Sequence, residues 1–105
     1  MVIYLINKRT MARTGLTLSS KIIRNPEMVS SDMDGETVMM SMENGEYYGL
    51  DPIGSRIWDL IEKEMSIEQL IGVLLEEYDV DRNQCEEDTF AFLNELLDKN
   101  LLTVL

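Results

Sequence analysis

Residues 34–52 read Asp34-Gly35-Glu36-Thr37-Val38-Met39-Met40-Ser41-Met42-Glu43-Asn44-Gly45-Glu46-Tyr47-Tyr48-Gly49-Leu50-Asp51-Pro52, and this stretch decides the fold. Asp34-Gly35 is a tight-turn dipeptide. Val38, Met40 and Met42 then repeat with period two, which predicts a strand over 37–42 with those three side chains on its buried face. Asn44-Gly45 supplies two residues that accept positive φ in a type I′ turn, so Tyr47 to Leu50 follows as the partner strand. At Asp51-Pro52 the pattern changes. Asp can accept from the first free amides of a helix, and Pro can fill the first helical position without losing a needed donor.

Working outward, Leu16 to Ile23 contains alternating apolar residues and reads as a strand that stops before Asn25-Pro26. Met28 to Ser31 continues as the first strand of the sheet. Downstream of Pro52, Ile53, Ile57, Trp58 and Ile61 share one helical stripe that fades at Glu62-Lys63-Glu64. Ser66 with Gln69 forms a capping box for a second helix, whose buried face is Ile67, Leu70, Ile71, Leu74 and Tyr78. Asp81 with Gln84 repeats the device for a third. Asn100 is a left-handed cap, and Leu101 to Leu105 is an apolar tail that returns to the core. The predicted fold class is α+β: a winged helix-turn-helix-like arrangement in which a three-stranded antiparallel sheet is followed by three helices.

With 105 residues and 45% apolar content, one domain can bury its own core. The lone Cys85 rules out an internal disulfide, and the lack of His removes the usual metal, haem and Cys/His or Ser/His catalytic sets. No cofactor and no enzyme activity are expected. Nine basic side chains stand against twenty acidic ones, a net charge of −11. Residues 1–30 hold five basic and one acidic, +4, whereas residues 31–105 hold four and nineteen, −15. Such a body repels nucleic acid. The apolar run Val2 to Ile6 is too short for a membrane span and lacks signal-peptide flanks, so the cytoplasm is the expected location.

Two features bear on function. The strand from Glu46 to Asp51 carries neither Lys nor Pro, so it is an edge poorly protected against pairing with another strand. On the third helix, Cys85, Phe92, Leu96, Thr89, Leu93, Leu97 and Phe90 spread over an arc of roughly 160°, wider than the ~100° one core contact requires. Either the tail Leu101 to Leu105 covers the excess, or part of the arc faces a groove beside the edge strand.

The runs Asp34 to Met40, Asn44 to Asp51, Gly54-Ser55-Arg56-Ile57-Trp58, Tyr78-Asp79-Val80-Asp81 and Phe92-Leu93-Asn94-Glu95-Leu96, in this order and spacing, resemble the PqqD-like RiPP recognition elements. The likeness covers residues 28–104. It is nearest to the small stand-alone proteins of lasso-peptide pathways, through Tyr-Tyr-Gly-Leu-Asp and Gly-Ser-Arg-Ile-Trp. The resemblance implies that the leader of a ribosomally made precursor docks as an added antiparallel strand, with its side chains in a groove against the third helix. Carried onto this chain, the peptide-binding residues are Glu46, Tyr47, Tyr48, Gly49, Leu50 and Asp51 on the edge. On the helix they are Cys85, Thr89, Phe90, Phe92, Leu93, Leu96 and Leu97. The implied partners are the leader, of Tyr-x-x-Pro-x-Leu pattern, and the maturation peptidase and macrocyclase of the same pathway. Residues 1–15 depart from the family pattern as an N-terminal extension, which leaves 16–105 as the binding domain.

Individual residues sharpen this. Trp58 and Cys85 read as core, and the Met residues mostly as core filler. Tyr48 shares a strand face with Leu50 and should meet the helices, whereas Tyr47 points the other way. Of Phe90 and Phe92, one is expected in the core and the other beside the groove. Two other readings remain: the same module in a radical-SAM RiPP or pyrroloquinoline quinone pathway, and a winged-helix transcription regulator. The second is disfavoured by the third helix, which from Cys85 to Asn100 has only Lys99 against five acidic residues.

Overall fold

The computed structural model describes residues 15–34, 36–41 and 45–105. Among them are six strands, β1 Lys21–Arg24, β2 Met28–Met33, β3 Glu36–Ser41, β4 Tyr47–Gly49, β5 Met65–Ser66 and β6 Leu102–Val104, and three helices, α1 Pro52–Leu60, α2 Ile67–Glu77 and α3 Arg82–Asp98. The strands form two antiparallel sheets, β2-β3-β4 and β5-β1-β6. The expected sheet and three helices are thus present, and a second small sheet joins them.

Helix starts follow the capping residues. Asp51 accepts from Gly54 N–H at 2.8 Å with Pro52 in the first turn. Ser66 and Gln69 exchange both bonds of a capping box, at 3.1 and 2.9 Å. Asp81 accepts from Gln84 N–H at 3.2 Å, but the Gln84 side chain turns forward to Asp88 rather than back, so the expected second box is only half made. Helix α3 ends where Asn100 takes φ 61°, with Leu101 N–H donating to Leu96 O and Asn100 N–H to Leu97 O. These are the two bonds of a Schellman motif.

Strand β1 begins at Lys21, later than the alternation from Leu16 suggested, because Thr17–Ser20 closes a turn first. Ile22 is wholly buried between β5 and β6. The C-terminal tail is β6, and its Leu101 and Leu102 enter the core. Arg24 stacks its guanidinium 5.1 Å from the Trp58 ring and donates to the Trp58 carbonyl at 3.0 Å, tying β1 to α1. Ile57, Trp58 and Ile61 are buried as the stripe predicted, whereas Ile53 is 48% exposed and its neighbours Gly54 and Ser55 take the buried side of the first turn.

Strand β3 alternates with period two but in the opposite phase to that expected. Thr37 and Met39 are buried, while Val38 and Met40 are half-buried on the other face. Met42 lies outside the described residues. The cause is a buried junction with α1. Thr37 N–H donates to Ser55 Oγ at 2.7 Å, the Ser55 hydroxyl donates to Leu50 O at 3.3 Å, and Leu50 N–H donates to Thr37 O at 2.9 Å. Buried amides need partners, so this loop of bonds turns Thr37 inward and carries Met39 with it.

The same junction sets β4. A two-residue turn at Asn44-Gly45 would place Met40 opposite Gly49; instead Met40 pairs with Tyr47, Met39 with Tyr48 and Val38 with Gly49. The register is shifted by two. Gly45 keeps its expected positive φ, 72°; Asn44 lies outside the described residues.

The phase has a measurable consequence. Met39→Ala should cost roughly 2–5 kcal/mol in chemical denaturation, as for other buried large-to-small changes, and Met40→Ala distinctly less. A second prediction concerns Arg56, which grips Glu77 with two bonds of 2.9 and 2.7 Å between α1 and α2. The Arg56 hydrogen bond holds the Glu77 carboxyl below its ordinary value of 4.5. A lowered folded-state value means that this contribution is present above 4.5 and lost as pH falls through the folded value. Arg56→Gln should therefore melt below the parent at neutral pH, and the gap should close in acid.

Candidate functional site

The sheet order leaves β4 paired with β3 on one side only, with no strand on its other side among the described residues. In an antiparallel ladder, alternate residues turn both their N–H and C=O to the partner. Leu50 gives its amide to Thr37, which places Tyr48 in the inward-facing set and leaves Tyr47 and Gly49 facing the open side. The edge is short and accessible. Tyr47 is 71% exposed, Glu46 and Asp51 are exposed, and Tyr48 and Gly49 are half-buried.

Side chains divide as the strand period requires. Tyr48 lies across from buried Met39 on the core face, Leu50 beyond it is wholly buried, and Tyr47 lies across from Met40 on the outer face. Leu50 is therefore part of the core behind the edge. Its amide is already committed, and it has no surface to offer a ligand.

Helix α3 runs along this region. At one end, the Phe92 ring reaches the start of α1, where a Cβ built on Gly54 would stand 3.3 Å from Phe92 Cε1 and Cζ and 3.1 Å from Asp51 Oδ1. Only hydrogen at Gly54 lets the α1 N-terminus sit this close. At the other end, Lys99 Nζ is 5.9 Å from the centre of the Tyr48 ring and 3.1 Å from Glu95 Oε2. The Tyr48 hydroxyl donates to Glu46 Oε1 at 2.8 Å. Helix α3 thus approaches the β4 region at two places, Phe92 beside Gly54 and Asp51, and Lys99 with Glu95 beside Tyr48.

The helix residues expected at the site separate into two groups. Cys85, Thr89, Phe92, Leu93 and Leu96 are buried, with Cys85 Sγ and Thr89 Oγ1 3.9 Å apart, and they form the floor or the core beneath. Phe90 and Leu97 are half-buried and packed against the core cluster. Phe92 is thus the core ring of the two, and it is also the one beside the end of β4. Sequence reasoning passed over Gly54, Glu95 and Lys99 as site residues. A lysine four residues after a glutamate was a helix-pair signal, but nothing local joined that pair to Tyr48, 51 residues earlier.

The arrangement offers backbone hydrogen bonds and an apolar wall, the requirements for holding an extended chain by strand addition. Among the described residues, no three His, Cys, Asp or Glu side chains gather as metal ligands, and no helix is long and apolar enough to cross a membrane.

Comparison with known proteins places this geometry. The family profile described as Coenzyme PQQ synthesis protein D (PqqD) matches residues 36–102. No curated protein matches the chain. Among solved structures, TbiB1 in complex with the TbiA(beta) leader peptide is 39% identical, with a TM-score of 0.72 over 76% of this chain and 93% of that one. A lasso peptide synthetase B1 complexed with the leader peptide is 23% identical, with a TM-score of 0.69 over 78% and 96%; at that identity it speaks for the fold alone.

The Gly54 contact predicts opposite outcomes at two helical glycines. Gly54→Val should lower stability by about 1–3 kcal/mol through overpacking against Phe92. Gly72→Ala, in α2 with nothing near its missing Cβ, should raise it by about 0.4–1 kcal/mol. Thermal melts of the two variants distinguish them.

Proposed function

The chain belongs to the PqqD family, and from that premise we propose that it binds the leader segment of a ribosomally made precursor peptide as an added antiparallel strand on β4. It then delivers the precursor to the maturation peptidase and macrocyclase of a lasso-peptide pathway. The observation that carries this reading is the open side of β4, where Tyr47 and Gly49 turn their backbone groups outward beside α3. Support comes from the 39% identical TbiB1, which is complexed with a leader peptide.

Residues 16–105 form the binding unit, and residues 1–15 are an extension outside it. Within that unit, the exposed edge Glu46, Tyr47, Gly49 and Asp51 meets the peptide backbone, and Tyr48, Phe90 and Leu97 meet its side chains. Leu50, Cys85, Thr89, Phe92, Leu93 and Leu96 act from behind, as the packed floor that holds the edge and α3 apart. The protein forms and breaks no covalent bond in this role. A leader that is disordered when free is ordered on docking at a cost of roughly 2–5 kcal/mol, which keeps the complex reversible. Delivery requires that reversibility.

The test is titration with labelled leader peptides, starting with the TbiA(beta) leader and leaders carrying the Tyr-x-x-Pro-x-Leu anchors. Binding should be micromolar or tighter and should vanish when the anchors become Ala. Gly49→Pro removes one outward amide without touching the β3 ladder, and should weaken binding about three- to tenfold while the fold survives. Leu50→Pro instead deletes the bond to Thr37 and should unfold the hairpin. Equal binding of leader and scrambled peptide overturns the reading.

A further inference from the structure

The α3 residues that reach Tyr48, Lys99 and its partner Glu95, lie outside the expected site. Lys99 is the C-cap of α3, held in place by the left-handed Asn100 and the two bonds that end the helix. Its ammonium pairs with Glu95, whose side chain is only 11% exposed, and stands over the Tyr48 ring. The Tyr48 hydroxyl is bonded to Glu46. Tyr48 is therefore gripped at both ends, by an acceptor at its hydroxyl and a cation at its ring face.

We propose that Lys99 is a positioning and specificity-determining residue of the peptide cleft: paired to Glu95, it fixes the Tyr48 ring as a preformed apolar wall that selects an uncharged, apolar side chain on the docked strand. This rests on the reading of β4 as the leader edge. The physical reasons are three. A carboxylate as enclosed as Glu95 is costly unless a counter-charge stays beside it, and strand addition on β4 removes further water from the region. A cation over an aromatic face restrains the ring before the peptide arrives, so less rotamer freedom is lost on binding. Finally, the side chain that an added strand places on the Tyr48 side meets an ammonium and two carboxylates within one small area. A basic side chain there is repelled by Lys99, an acidic one by Glu95 and Glu46, and an apolar one can lie on the ring without disturbing the pair.

The experiment compares the parent with Lys99→Met, Lys99→Arg and the double variant Lys99→Met, Glu95→Gln. Each is measured in three ways: Tyr48 ring resonances of the free protein by NMR, affinity for the TbiA(beta) leader peptide, and melting temperature. Lys99→Met should shift and broaden the Tyr48 ring signals and weaken leader binding about tenfold, and it should lower the melting temperature by leaving Glu95 unpaired, a loss that the double variant regains. Lys99→Arg, which keeps a cation over the ring, should stay within about threefold of the parent. The double variant should recover part of the loss, because the enclosed charge has gone. The proposal is overturned if Lys99→Met leaves the Tyr48 resonances unmoved, or if its affinity loss follows its melting and Arg does not restore it. Should the parent bind leader and scrambled peptide alike, the leader reading itself fails, while the Tyr48 resonances still decide whether Lys99 holds the ring.

Discussion

The closed set of bonds among Thr37, Leu50 and Ser55 is the constraint on which the rest of the architecture depends. Five polar groups that would each be costly to bury alone satisfy one another at the point where β3, β4 and α1 meet. Sliding β4 by one residue would break the loop and turn Leu50 out of the core; sliding it by two would keep the faces but leave the Thr37 and Leu50 groups without these partners. The junction thereby chooses the strand phase, the register and the exit direction of the chain into α1. It also uses up the inner backbone groups of β4, which is why the outer ones at Tyr47 and Gly49 are what remains on offer.

Holding a peptide in this way separates attraction from selection. The backbone of β4 can bond any extended chain, so discrimination has to come from side chains in the space between the sheet and α3. That space is shaped by two close approaches. The Phe92 ring fits against Gly54 at one end, and the Lys99–Glu95 pair meets Tyr48 at the other. Beneath them the buried face of α3 is packed into the core, which fixes the helix against the sheet.

Much of this was legible without coordinates, and the misses have definite causes. Asp51-Pro52, Ser66 with Gln69, Asp81 and Asn100 each mark a helix boundary because a cap is a local bond, made within four residues. The strand over 36–41 was legible as a strand, but Val38-Met39-Met40 is apolar on both faces, so its phase had no local signature. The Asn44-Gly45 pair predicts a two-residue turn on intrinsic preference; the tertiary junction outweighed the register that turn implies. Within the site, the edge residues were recognisable from the absence of Lys and Pro. The helix residues were chosen by a wide apolar arc that mixes floor with lining, and that arc passed over charged Glu95 and Lys99.

The amino-acid order alone determined the three helices and their starts, the strands on either side of Asn44-Gly45, the acidic character and an edge without Lys or Pro, since each follows from interactions between near neighbours or from composition. Only the tertiary structure decided which face of β3 is buried, that Ile22 pairs with Met65 and Val104 on strands distant in sequence, and that Lys99 stands over Tyr48. Those outcomes depend on satisfying buried polar groups and filling a shared core, and neither demand can be assessed until distant segments are brought together.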